Sequence, residues 1–423
     1  GSFGGDADLI FNKTSNNLGL GLSTTLPSAR LDIKGTGTSN NFALRIQDSS
    51  SNNKLIILDN GNVGIATSHT APSQKLEVQG NILTTQEDNP VARGFTDVNI
   101  STPYGICVSG KYAYVANIGT NSLSIYDVSN PISITTKAAT SVNLNQPYAV
   151  CVSGKYAYVA SFNNSRLCVY DISNPNSIIT KGYTGLNLRQ PYSVYTSGKY
   201  AYVASYGNSR FCIFDISNPD SIVARGYINV VSGERPTSIF VCGKYAYTTS
   251  AILGYLRIFD ISNPDSIVDK VNTGLNPDDP NSVYVSGKYA YVINPGASRF
   301  SIFDISNPAS IVTRGFTSAN LLNPSHLFVS GKYAYVTSYN TSGLCIFDVS
   351  NPDTIVAKGR AGTAVGPRGV SVSGKYAYVV SETPPRLAIF ELNSTDTPTF
   401  NTGAATISNL QVYDNAQFDN DVY

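Results

Sequence analysis

The stretch Tyr148–Ser161 reads Tyr-Ala-Val-Cys-Val-Ser-Gly-Lys-Tyr-Ala-Tyr-Val-Ala-Ser, and the fold follows from it. An apolar run, Tyr148–Val152, is broken by Ser153-Gly154-Lys155 and followed by a second run, Tyr156–Ser161. Aromatic and β-branched residues recur in both, as strands require. Gly154 can take the positive φ that a tight hairpin needs. Along the second strand Tyr156 and Tyr158 fall on one face, Ala157 and Val159 on the other. Downstream, Leu167–Ile172 is a third strand, Ser173-Asn174-Pro175 a turn, and Ile178–Tyr183 a fourth strand. This last strand opens after a proline, which an edge strand tolerates. Four antiparallel strands in about 44 residues is the size of a propeller blade.

The unit recurs. Gly-Lys-Tyr-Ala-Tyr starts at Gly110, Gly154, Gly198, Gly243, Gly287, Gly331 and Gly374, and Asp-Ile/Val-Ser-Asn-Pro starts at Asp127, Asp171, Asp215, Asp260, Asp304 and Asp348. The seventh unit departs, with Glu391-Leu392-Asn393-Ser394 in place of the second motif. We label the four strands of a unit a to d. A tyrosine face on one unit can meet the small Ala/Val face of the next, so neighbouring sheets interdigitate. No strand d follows the seventh strand c, Leu387–Glu391, but Pro90-Val91-Ala92-Arg93-Gly94-Phe95 matches the strand d around Val223–Tyr227. Residues 91–96 are therefore expected to complete the seventh blade. This joins the two ends of the ring and removes a free sheet edge. The expected fold is all-β: a seven-bladed propeller of four-stranded antiparallel blades over 89–393, set between β-rich stalk segments at 1–88 and 394–423.

These motifs resemble the LVIVD-repeat family of β-propellers. Leu123–Pro131 matches its strand c and turn, and Ala157-Tyr158-Val159-Ala160 matches its later Ala-Tyr-Val-Ala. The resemblance covers roughly 91–391. It implies a surface or extracellular propeller without assigned chemistry. In the flanks, Pro27–Gly35 recurs as Pro72–Gly80, Gly19-Leu20-Gly21 is echoed by Gly64-Ile65-Ala66, and Leu55–Val63 reads strand–turn–strand across Asn60-Gly61. These pieces look like stalk segments of phage tail fibres and bacterial surface fibres. At the other end, Leu410, Ala416 and Val422 recur every six residues, as in an intertwined fibre or β-solenoid. Both flanks are expected to join copies of the chain, as a trimer or a filament.

Composition narrows the function classes. Charged residues are 13% of 423, with a formal net charge of +1. Nothing in that balance marks a nucleic-acid or anionic-membrane partner. No apolar run reaches the roughly 18 residues of a membrane helix. The two histidines, His69 and His326, have no metal-ligand spacing, and no nucleophile elbow or phosphate loop occurs. No metal or cofactor is expected, and a non-enzymatic role is. The Asp of Asp-x-Ser-Asn-Pro reads as the cap of a turn. Cys107 and Cys151 share a strand a slot, Cys168, Cys212 and Cys345 a strand c slot, and Cys242 stands before a turn glycine. All six are expected to be free, mostly buried thiols.

A ligand would meet the side of the disc built by the d–a and b–c loops, which differ between units, whereas the a–b and c–d turns are nearly identical. This face is expected to carry a ring of tyrosine and arginine: Tyr104, Tyr148, Tyr192, His326 and Arg368 at the starts of strand a, with Arg166, Arg210, Arg299 and Arg386 before strand c. Such side chains suit a cell-surface glycan, a carboxylate or a protein partner. The leading expectation is an extracellular, fibre-borne module for adhesion or receptor binding. The alternative is a structural filament subunit, and a propeller enzyme stands third.

Overall fold

The computed structural model describes residues 89–392, apart from Ser232 and 275–278, and seven short strands between Leu9 and Val78. The chain divides into two units, Gly1–Thr85 and Gln86–Tyr423. The six-residue period at 407–423 lies outside the described residues.

Within the second unit, seven four-stranded antiparallel sheets form a propeller ring. Blades 1 to 6 span 103–140, 147–184, 191–229, 236–274, 282–317 and 324–362. Blade 7 combines Val365–Ser373, Tyr376–Thr383 and Pro385–Glu391 with Val91–Thr96. The expected closure is observed in register: Leu387 pairs with Thr96, Ala388 with Phe95, Ile389 with Gly94, Phe390 with Ala92 and Glu391 with Val91. Glu391 replaces the aspartate of the other blades and binds both Arg93, on the strand that closes the ring, and Lys375, at 2.8 Å.

Seven apolar clusters each join two consecutive blades. Between blades 2 and 3, Tyr158, Ala160, Leu167 and Val169 meet Ala201, Val203, Phe214 and Ile216. Between blades 7 and 1, Tyr378, Val380, Leu387 and Ile389 meet Ala113, Val115, Tyr126 and Val128. The tyrosine face thus packs on the small face of the next blade, as the alternation requires. Each large side chain so buried contributes about 1.5–3 kcal/mol.

Two glycine positions serve the backbone. Gly110 and its six counterparts have φ between +54° and +59° and open the a–b hairpins at the first central turn position. The strand d glycines meet the next blade: a Cβ on Gly94, Gly182, Gly226 or Gly315 would lie 2.4–2.7 Å from the carbonyl oxygen of Pro131, Pro219, Pro264 or Pro352. Gly182 N donates to that oxygen at 2.8 Å. Strand d is the outer edge of every blade and carries a central Lys or Arg. Three of these reach the next blade's c–d turn: Lys181 to Asp220 at 3.6 Å, Arg225 to Asp265 at 2.6 Å and Arg314 to Asp353 at 2.7 Å. Charge on an edge strand discourages pairing with another chain.

In the first unit the two copies of the flank repeat form the same parallel pairs. Leu18, Gly19 and Leu20 lie beside Leu31, Asp32 and Ile33, and Val63, Gly64 and Ile65 lie beside Leu76, Glu77 and Val78. Asn53–Leu58 runs antiparallel to Val63–Ile65, giving the strand–turn–strand expected there.

Candidate functional site

Strand a is the innermost strand of each blade, and the seven enclose a channel of about 200 Å³. At its mouth on the loop face stand the second residues of strand a. Blades 1 to 3 place Tyr104, Tyr148 and Tyr192 there. Their ring centroids are 4.6 Å apart for Tyr104–Tyr148, 4.9 Å for Tyr148–Tyr192 and 5.9 Å for Tyr104–Tyr192. The hydroxyls of Tyr104 and Tyr192 are hydrogen bonded to each other. Burial raises all three phenol pKa values above the ordinary range, so these groups are neutral at physiological pH.

The b–c loops add two further rings. Phe162 lies 4.5 Å from Tyr148, and Tyr206 stacks on Tyr192 at 5.6 Å. Backbone bonds hold both loops: Phe162 N donates to Gln146 O at 3.0 Å and Tyr206 N to Gln190 O at 3.1 Å. The loops then turn through left-handed residues, Ser165 at φ +57° and Ser209 at φ +54°.

Charged groups flank the rings. The Arg235 guanidinium lies 4.9 Å from the Tyr206 ring and donates to its hydroxyl at 2.9 Å. Arg368 lies 5.2 Å from the Tyr104 ring and 4.3 Å from Tyr339, and binds Glu382 at 2.8 Å. Tyr339 donates to the same carboxylate at 2.9 Å. Burial would lower the Arg368 pKa, but Glu382 and the phenols outweigh it and raise the value. Small polar residues, Thr237, Asn281 and Ser325, complete the mouth. Thr237 donates to Pro280 O at 3.0 Å and Asn281 to Ser325 O at 3.3 Å, which binds these residues to their neighbours. The mouth is therefore asymmetric, aromatic on blades 1 to 3 and small and polar on blades 4 to 6.

His326 lines the channel behind this mouth. Burial pushes its pKa down to about 4, so the imidazole is neutral, and Nδ1 has no partner among the described residues. At the other end of the channel Tyr195, Phe240, Tyr284 and Phe328 form a chain of rings with centroids 4.6–5.1 Å apart, beside Cys107 and Cys151.

One expectation is corrected. The tyrosines and arginines do not form a single ring. Arg166, Arg210, Arg299 and Arg386 lie on the outer strands, over Tyr183 at 4.1 Å, Tyr227 at 4.4 Å, Phe316 at 4.5 Å and Phe95 at 4.6 Å. The cause is strand order: strand c pairs with the outer strand d, so an arginine opening strand c reaches a strand d aromatic rather than the channel. Phe162, Tyr206, Tyr339 and Glu382 belong to the site and were not anticipated. Each directly follows the last Ser of a strand b unit, and that shared position was the available signal.

The turn face behaves as expected. In every Asp-x-Ser-Asn-Pro turn the serine N–H donates to the aspartate at 2.9–3.1 Å, and the asparagine side chain accepts a second N–H at 3.1 Å. All six thiols are free. Cys168, Cys212 and Cys345 are buried, and burial raises their pKa to about 12, 12 and 11. They donate to loop carbonyls at 3.4–3.6 Å, so they act as weak donors as well as small apolar groups. Cys242 is exposed.

A family model described as the LVIVD repeat matches residues 104–140, 148–184, 189–229, 236–273, 279–316, 323–363 and 367–383. No curated protein matches the chain in sequence. Solved structures similar to it include Kuenenia stuttgartiensis hydrazine synthase (TM-score 0.57, 18% identity, 71% of this chain and 98% of that chain). They also include the Pseudomonas aeruginosa periplasmic gluconolactonase (0.56, 14%, 63% and 86%). A third is virginiamycin B lyase from Staphylococcus aureus (0.53, 14%, 73% and 97%). At these identities the likeness establishes the fold alone.

Proposed function

The chain belongs to the LVIVD-repeat family, and from that footing we propose that its propeller is a non-enzymatic, extracellular recognition disc, carried on a fibre, that binds a glycan or protein partner at the aromatic half of the channel mouth. One observation carries this reading: five contiguous rings, Tyr104, Tyr148, Tyr192, Phe162 and Tyr206, converge from three consecutive blades and are edged by Arg235 and the Arg368–Glu382 pair. Neutral aromatic faces suit the C–H faces of sugars and apolar side chains, and flanking charged donors and acceptors orient a polar partner. The lactonase and lyase neighbours, at 14% identity, share the fold with this chain and lend no argument for or against their chemistry.

A glycan array followed by titration of the best hit tests the reading. Tyr206→Ala should weaken binding about tenfold or more, a loss of about 1.4 kcal/mol. Arg166→Ala and Arg210→Ala, on the outer strands, should leave it unchanged. If the tyrosine variant binds like the parent, the aromatic mouth is not the site.

The duplicated parallel strand pairs of the first unit favour a second reading, in which residues 1–88 and 394–423 join copies into a filament or a closed trimer. Light scattering of the purified chain separates an open polymer from a closed assembly.

A further inference from the structure

The repeat makes each blade a control for the others, and blade 7 departs in its d–a loop as well as at Glu391. In blades 2 and 3 the d–a loop presents a left-handed asparagine, Asn143 at φ +63° and Asn187 at φ +62°. Its side chain accepts from the arginine that opens strand c, Arg166 or Arg210, at 3.3 Å. Its carbonyl accepts from the thiol two residues on, Cys168 at 3.4 Å or Cys212 at 3.6 Å.

In blade 7 the arginine is retained as Arg386, but both partners of the arrangement are lost. The loop is Gly362-Thr363-Ala364, without asparagine, and Ala388 stands where the thiol was. A hollow of about 230 Å³ lies here, lined by Thr363, Ala364, Phe95, Ala388, Phe390 and Arg386 among others. Arg386 rests on the Phe95 ring, and its guanidinium donates no hydrogen bond among the described residues; its buried Nε is without a partner. Arg93, also on the wall, is neutralised by Glu391. Arg386, half-buried, is therefore a cation without a protein acceptor among the described residues, in a hollow walled by both apolar and polar groups. A buried donor such as its Nε is satisfied by protein, water or ligand.

We propose that this cavity at the seam of blades 6 and 7 is a binding site for a small apolar carboxylate, its charge held by Arg386 and its apolar body seated against Ala388, Phe390 and Phe95. A planar guanidinium matches a carboxylate through two parallel donors, which sets the ligand's orientation. The site is separate from the channel mouth, and its test is independent of any partner bound there.

The experiment titrates the full chain with benzoate, followed by NMR or calorimetry, with benzyl alcohol as the uncharged match in shape. Saturable benzoate binding is expected, with benzyl alcohol at least tenfold weaker. Arg386→Gln should lose benzoate at least tenfold. Ala364→Asn, which returns an amide to the loop, should do the same while keeping Arg386. Arg166→Gln should bind like the parent. The proposal is overturned if the parent shows no saturable benzoate binding, which would mean that water satisfies Arg386. It is overturned equally if both cavity variants bind benzoate like the parent, or if benzyl alcohol binds as well as benzoate.

Discussion

The two faces of the disc solve one problem in different ways. Both must satisfy backbone groups where the chain leaves a sheet. On the turn face the solution is local: an aspartate or asparagine caps an N–H two residues on, at nearly the same distance in blades 1 to 6. The cap itself draws on no neighbouring blade, even where Lys181, Arg225 and Arg314 reach the turn from the preceding strand d, so one motif serves blades 1 to 6. On the loop face the anchors reach across the chain. The serine ending strand b accepts from the d–a loop, Ser161 from Asn145 N and Ser205 from Arg189 N, both at 2.8 Å. The left-handed residue of the b–c loop then accepts from the next blade, Asn121 from Gln146 N at 2.7 Å and Ser165 from Gln190 N at 3.1 Å. With those anchors fixed, the intervening positions vary. There the aromatic mouth, the Arg386 cavity and a buried ion cluster are found.

That cluster gives the largest expected effect. In blade 4, Arg257 occupies the slot held by Cys168 or Ser124 elsewhere, 3% exposed, and binds Glu234, 1% exposed, at 2.8 Å, together with Asp269. Arg257→Ala would leave Glu234 buried without its counter-charge and should cost about 3–5 kcal/mol in urea unfolding. Arg257→Cys combined with Glu234→Leu should recover much of that loss. A loss below about 1 kcal/mol in the single variant would mean that the loop face is as interchangeable as the turn face.

A smaller effect is expected on the turn face. Gly154→Ala puts a side chain at φ +56° with no atom within 4 Å of its Cβ, so only backbone strain is felt. It should cost about 1–2 kcal/mol, and the same change at Gly198 or Gly331 should cost the same. Unequal losses would show that the turns are coupled to their neighbours.

The smallest is a pH effect. Hydrogen bonds from Ser173 hold the Asp171 pKa below its ordinary value of 3.8. A depressed carboxyl contributes stability that is present above that ordinary value and is lost as pH falls through the folded one. Asp171→Asn should therefore flatten the melting temperature profile slightly below about pH 4. A profile parallel to the parent's would remove the serine bonds as the cause.

Much of this was legible without coordinates. The seven Gly-Lys-Tyr-Ala-Tyr hairpins, the capped turns, the tyrosine-on-alanine packing and the closure by residues 91–96 all follow from period, alternation and turn chemistry, which act within a few residues. The site was half legible. Tyr104, Tyr148 and Tyr192 are legible on the loop face at the starts of strand a, and the structure adds that strand a is innermost, which sets them at the channel mouth. Arg166 and Arg210 were set beside them when they belong to the rim, because their aromatic partners, Tyr183 and Tyr227, lie on the edge strand.

By itself the sequence determined the blade, its number and the way the ring closes, since each rests on a repeated local preference that the chain states seven times. Tertiary structure alone decided which loop residues share a surface and which charges go unpaired. Phe162 reaches Tyr148 through a loop-to-loop hydrogen bond, and Arg386 lacks an acceptor because a loop from the preceding blade is missing one asparagine. Such contacts depend on where a neighbouring sheet holds the backbone, and no spacing along the chain encodes that position.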